Sequence, residues 1–209
     1  MLELMQRGGP IMWVIFLCSV VAVAVVIERF FQLRRAKINT AKFMNDISSL
    51  LKRNKIMEAI AMCNQMPGPI AQVMKAGILK HDRSRPEIRE AIEDTALGEI
   101  PLLEKNLSVL ATIAHITPLL GLLGTVIGML RCFQVIEQKS TALQPVNPKD
   151  LAGGIWEALL TTVFGLCVAI PTYVAYNYLV NMVNGFIQDM EKNATELVNL
   201  LLYRRESEV

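Results

Sequence analysis

Between Gly153 and Val180 the chain reads GGIWEALLTTVFGLCVAIPTYVAYNYLV, with a single charged residue, Glu157. At about 1.5 Å per residue, a helix of this length crosses a hydrocarbon core of about 30 Å. Thr161 and Gly165 follow Glu157 at four-residue spacing, on the same side of a helix, with Thr162 beside them. Acids inside spanning segments are rare, and by default they mark a bundle interior or a water-filled path. Two plainer readings stand beside that one. Glu157 is only the fifth residue of the run and fits the headgroup level, and the threonines can bond back to their own helix carbonyls.

Two more spans accompany this one. A mean hydropathy of +0.38 and 53% hydrophobic residues suit a membrane protein with a polar portion. The apolar windows are Ile11–Ile27, Leu107–Leu130 and the opening run. The first is not expected to be a cleaved signal peptide: only Arg7 precedes it, while Arg29, Arg34, Arg35 and Lys37 follow. Residues 28–105 hold 14 Lys/Arg, against Arg131, Lys139 and Lys149 in 131–152, so the former are expected in the cytoplasm. The expected layout is a short outer N-terminus (1–10), span one (11–27), a cytoplasmic helical region (28–106), span two (107–130), an outer loop (131–152), span three (153–180) and a cytoplasmic tail (181–209). Trp13 and Trp156 then fall at the outer interface, and Tyr173, Tyr176 and Tyr178 at the inner end. Arg131 on the outer side is the cost of this topology.

The expected fold is all-α: three transmembrane helices, with long helices two and three extending into a cytoplasmic helical bundle. Span one has no polar group deeper than Ser19 and reads as a lipid-facing anchor. In the polar region Leu50, Leu51, Ile56, Ala59, Ile60 and Cys63 share one helical face. Met66-Pro67-Gly68-Pro69 breaks the chain, and a helix is expected from Ile70 to about His81. Ser84-Arg85-Pro86-Glu87 is a helix start with a serine cap. From Pro86 the pattern runs through Pro101 to Lys105 and on into span two without a stop. Asn147 is expected to cap the third helix, with Asp150 in its first turn. Val183, Phe186, Ile187, Met190, Ala194, Leu197 and Leu201 continue an apolar stripe past the membrane.

No Gly-rich phosphate loop and no Ser/His/Asp set occurs, so an enzyme is not expected. Neither His81 nor His115 has partners at ligand spacing, and the cysteines at 18, 63, 132 and 167 suggest no metal site or disulfide. No cofactor, metal or nucleic acid is expected. In span two, Gly121, Gly124, Thr125 and Gly128 form a small-residue surface of the kind that lets membrane helices approach closely. Pro118 is expected to bend the helix and free a carbonyl. His115 near the inner end fits either a proton relay or simple packing.

LATIAHITPLLGLLGTVIGM (110–129) and AGGIWEALLTTVFGLCVAIPTYVAYN (152–177) together resemble the MotA/TolQ/ExbB proton-channel family. The similarity extends to GGPIMWVIFLCSVVAVAVVIERF (8–30) and more loosely to the Met66–Pro69 turn. The three-span layout is similar to the ExbB and TolQ branch rather than to four-span MotA. The resemblance implies that Thr125 is the pore threonine of span two, that Glu157 and Thr162 are the acid and threonine of span three, and that Pro171 is the proline of the AIP motif. Thr161 joins this polar set, and Gly165 the small residues that shape it. The resemblance implies five copies around two helices of a single-span ExbD/TolR-like partner, which brings the aspartate that is protonated and released. The complex would pull on a TonB- or TolA-like protein from the bacterial inner membrane, with lipid around it. The spans here contain no aspartate, and only Glu157 and His115 in them titrate, in keeping with a partner acid. His115 stands where the family often has a small residue. A passive membrane scaffold that conducts nothing is the alternative, and ExbB-like and TolQ-like roles stay equally open.

Overall fold

The computed structural model describes residues 8–141, 145 and 148–207. These residues form seven helices and no strand: α1 (Gly9–Ala36), α2 (Thr40–Lys52), α3 (Ile56–Gln65), α4 (Pro69–Leu79), α5 (Arg85–Glu104), α6 (Leu107–Thr141) and α7 (Pro148–Ser207). The protein is all-α. Three helical stretches, carrying α1, α6 and α7, are long and apolar enough to cross a membrane. The chain divides into two compact units, residues up to Glu28 with Asn106–Tyr178, and Arg29–Lys105 with Leu179 onward.

The first unit holds the apolar spans. In it α1 buries only a narrow stripe, Met12, Ile15 and Ala22, and exposes Trp13, Phe16, Leu17, Val20 and Val23. On α6 and α7 the exposed side chains include Leu119, Leu122, Val126, Leu159, Val163 and Ile170. A contiguous apolar surface of this kind is costly in water and natural against lipid or other helices.

Helix α6 runs eleven residues past Leu130, the expected end of span two, because RCFQVIEQKST holds neither glycine nor proline to stop it. Residues 131–141 of the expected outer loop 131–152 are therefore helical, and Pro148 takes the first helical position of α7. The expected cap Asn147 and the side chain of Asp150 lie outside the described residues.

The second unit is a helix bundle with its own core. Phe43, Ile47 and Leu51 of α2, Ala59 and Cys63 of α3, Ile70, Met74 and Ile78 of α4 and Ile88 of α5 are buried. From the end of α7 come Val183, Phe186, Met190, Leu197 and Leu201, five of the seven stripe residues. The expected face from Leu50 to Cys63 is split between α2 and α3 at Asn54, which turns the chain with φ 59°. Gly68 precedes α4 with φ 106°, and a Cβ there would meet the Ala36 carbonyl oxygen at 2.6 Å. Arg29 is buried and its Nη1 donates to the Leu102 carbonyl at 3.3 Å, satisfying one of the last carbonyls of α5.

Ser84 sits at the N-cap of α5 in extended geometry, yet its hydroxyl donates to the Glu87 carboxylate at 2.6 Å rather than accepting a backbone N–H. That hydrogen bond, aided by Arg83 and Lys80, holds the Glu87 carboxyl below its ordinary range. One expectation needs correction: the helix from Pro86 does not run on into span two. It ends at Glu104, Asn106 takes φ 60°, and the Asn106 carbonyl accepts from Leu110 N–H to open α6. Asparagine tolerates this left-handed conformation better than most residues, which makes it a natural break between two helices.

Candidate functional site

Spans two and three lie antiparallel in the first unit, and their contact is built from small residues. Gly165 faces the Thr117 carbonyl, Gly121 faces Thr161 and Thr162, Gly124 faces Thr161, and Gly128 faces Gly154 and Ala158. The positions 117, 121, 124, 128 on α6 and 154, 158, 161, 165 on α7 recur at three- and four-residue steps, so each set occupies one helix face. A Cβ at Gly121 would lie 3.0 Å from Thr162 Cα, and one at Gly165 would lie 2.6 Å from the Thr117 oxygen. The two backbones thus approach at distances only glycine permits. The small-residue surface lies between two spans of the same chain.

The hydroxyls divide by environment. Thr161 is buried; its Oγ1 donates to the Ala158 carbonyl at 2.8 Å and lies 3.4 Å from the Gly121 oxygen. Thr162 is half-buried and reaches across the seam to the Gly121 oxygen at 3.1 Å. Thr125, one turn along α6 from Gly121, is half-buried and donates to the Leu122 carbonyl at 2.6 Å. A hydroxyl retains acceptor capacity when it donates, so Thr125 and Thr162 can each still take a hydrogen bond from water or from a partner side chain.

Glu157 occupies one end of this seam and is not solitary. Arg131 Nη1 donates to both of its carboxylate oxygens. The acid side chain is 16% exposed and the arginine 46%. Gly9, the first residue of α1, has φ 68° and sits so close that a Cβ there would run into Glu157 Oε1. At the other end His115 is exposed, with Nδ1 2.6 Å from the Ala111 carbonyl oxygen and its ring edge-on to Tyr173 at 6.2 Å between centroids. The carbonyl can only accept, so Nδ1 carries the proton and Nε2 is left as the acceptor in the neutral ring. Pro118 and Pro171 lie inside α6 and α7, whose helical runs continue through them.

Sequence reading missed Arg131, Gly9 and Thr117. The last is wholly buried, with its hydroxyl on the Ile113 carbonyl at 2.7 Å. A signal for Arg131 existed. In an antiparallel hairpin that pairs Gly128 with Ala158, residue 131 falls opposite 155, two residues from the one acid of span three and within reach of a long basic side chain.

Residues 65–192 match the MotA/TolQ/ExbB proton channel family. The chain is 27% identical over 91% of its length, and 66% of the relative's, to a biopolymer transport ExbB homolog of Methanothermobacter thermautotrophicus. An ExbB-like biopolymer transport protein of Synechocystis sp. is 34% identical over 82% of this chain and 81% of its own. The Tol-Pal system protein TolQ of Haemophilus influenzae is 31% identical over 88% and 83%. The matched region contains the whole seam, from Thr117 to Gly165, with its flanking acid and hydroxyls, and the chain belongs to the MotA/TolQ/ExbB proton channel family.

Proposed function

We propose that this chain is the ring-forming subunit of a proton-driven motor of the ExbB/TolQ type. Five copies surround two helices of an ExbD/TolR-like single-span protein, and the complex pulls on a TonB- or TolA-like envelope protein. The membrane is the bacterial inner membrane, with residues 1–10 and 131–152 on the periplasmic side and residues 28–106 and 181–209 in the cytoplasm. The observation that carries this reading is the placement of Thr125 and Thr162. They are half-buried hydroxyls beside the seam, at the edge of an exposed surface that is otherwise apolar.

In this reading the partner's aspartate alternates between outer and inner water. Each proton that crosses releases about 2.3 kcal/mol per 100 mV of membrane potential. Thr125 and Thr162 offer hydroxyls that can hold water beside that aspartate. Glu157 stands at the outer mouth and His115 near the inner one. Buried Thr161 packs against Gly124, a shape-setting role at the seam.

A passive scaffold is the second reading, and one observation favours it: Thr125, Thr161 and Thr162 all bond carbonyls of their own chain. Co-expression with a single-span protein carrying one intramembrane aspartate separates the two. The motor reading expects a complex whose envelope function fails on partner Asp→Asn and on Thr162→Val, with native mass spectrometry showing the same stoichiometry throughout. A scaffold expects function to survive both changes.

A further inference from the structure

We propose that Arg131 is a positioning residue for Glu157, and that the pair, seated against Gly9, clamps the outer ends of all three spans. Three independent features of the structure meet at this point. Arg131 on α6 donates to both carboxylate oxygens of Glu157 on α7, beside the contact of Gly128 with Gly154 and Ala158. Cys132, the next residue on α6, is buried beside it, with Sγ 3.4 Å from the Leu151 carbonyl. Gly9, which opens α1 with φ 68°, lets the carboxylate lie where any other residue would place its Cβ, and that same Cβ would be 3.6 Å from Arg131 Nη1.

The arrangement assigns a cost to leaving either charge alone. A carboxylate that is mostly buried at the edge of an apolar seam loses hydration, and its stability then depends on the cation that replaces the water. Both carboxylate oxygens are held by the one nitrogen Nη1, so a single cationic donor on α6 sets the direction of the carboxylate. Arg131 therefore determines where the one intramembrane acid of this chain points, and how span one meets the hairpin of spans two and three. The clamp stands on geometry alone. Its effect on proton movement rests on the motor reading above.

The test is a double-mutant cycle on the full chain in detergent: wild type, Arg131→Gln, Glu157→Gln and the double variant, with the thermal midpoint as readout. The clamp predicts that each single change lowers the midpoint and that the second change adds little or nothing to the first, because each removes the same contact. Additive losses, or an Arg131→Gln midpoint equal to wild type, would overturn it. Failure of a single variant to accumulate counts as loss at that position, and recovery of accumulation in the double variant then supports the clamp while continued failure overturns it. The positioning role has its own readout in liposomes holding the chain and its single-span partner at wild-type stoichiometry. Arg131→Gln should cut partner-dependent proton flux several-fold, and Arg131→Lys should restore much of it. Equal flux in Arg131→Gln and wild type overturns the positioning role. No flux in the wild type overturns the motor reading instead, and the midpoints alone then decide the clamp.

Discussion

Thr161 fills the space that a side chain on Gly124 would need: a Cβ there would come within 2.6 Å of Thr161 Cβ and 2.9 Å of its Cγ2. The two helices are held at this separation along the whole seam, so the fit at one level is shared with the levels above and below. Gly124→Ala should therefore cost on the order of 1–3 kcal/mol by overpacking, and Gly124→Leu more. Replacing Thr161 with alanine in the same chain should recover part of the Gly124→Ala loss, because it removes the hydroxyl and methyl that the new Cβ meets and leaves only the Cβ. Thermal unfolding in detergent measures both, and purely additive losses would show that the seam is not packed as described.

Thr162→Val removes one hydroxyl at nearly constant volume. The lost bond is to the Gly121 carbonyl at 3.1 Å, on a half-buried side chain, so the expected stability cost is about 1 kcal/mol. Thr161→Val deletes a buried hydroxyl that faces only its own chain. If the hydroxyl of Thr162 serves proton movement, Thr162→Val should reduce flux far more than Thr161→Val does, although both variants assemble. Equal effects of the two on flux would reduce both threonines to packing residues.

Much of this was legible in the sequence, for physical reasons that differ by residue. The three spans follow from length and apolarity, and the small-residue face of α6 follows from spacing. The partner of that face was harder, because glycine at three- and four-residue steps says that a helix comes close without saying which helix. The break at Asn106 was not legible: no glycine or proline marks it, and α5 ends where Lys105 takes ψ 136° and Asn106 the left-handed conformation. Arg131 read as an awkward charge on the outer side until antiparallel register set it against Glu157.

Burial pushes the Cys63 thiol up to about 11, against a smaller opposing effect of Lys75. The ordinary value is 9.0, so the folded chain holds this proton more tightly than the unfolded one. The resulting stability is fully present below pH 9.0 and is lost as pH rises toward about 11. The loss amounts to about 3 kcal/mol at most, and Cys63→Ala should remove that alkaline step from the stability profile. Urea titrations of the two proteins between those pH values check it.

Gly77 lets α4 lie against Leu197 and Ile92, whose Cδ2 and Cδ1 atoms would be 2.7 and 2.8 Å from a Cβ at that position. Leu197 is fully buried there, so Leu197→Ala should cost about 2–5 kcal/mol. Hydrogen exchange would localise the loosening to α4, α5 and the end of α7. Unchanged protection in those helices would show that the bundle does not depend on this contact.

Proton flux through liposomes tests the central claim most directly. Purified chain alone, chain with its single-span partner, and chain with the partner's aspartate changed to asparagine are reconstituted at matched density, and acidification is followed under an imposed potential. The account predicts flux for the intact pair, and little for the chain alone or for the Asp→Asn complex. Equal flux through all three preparations, or none through the intact pair, would contradict it.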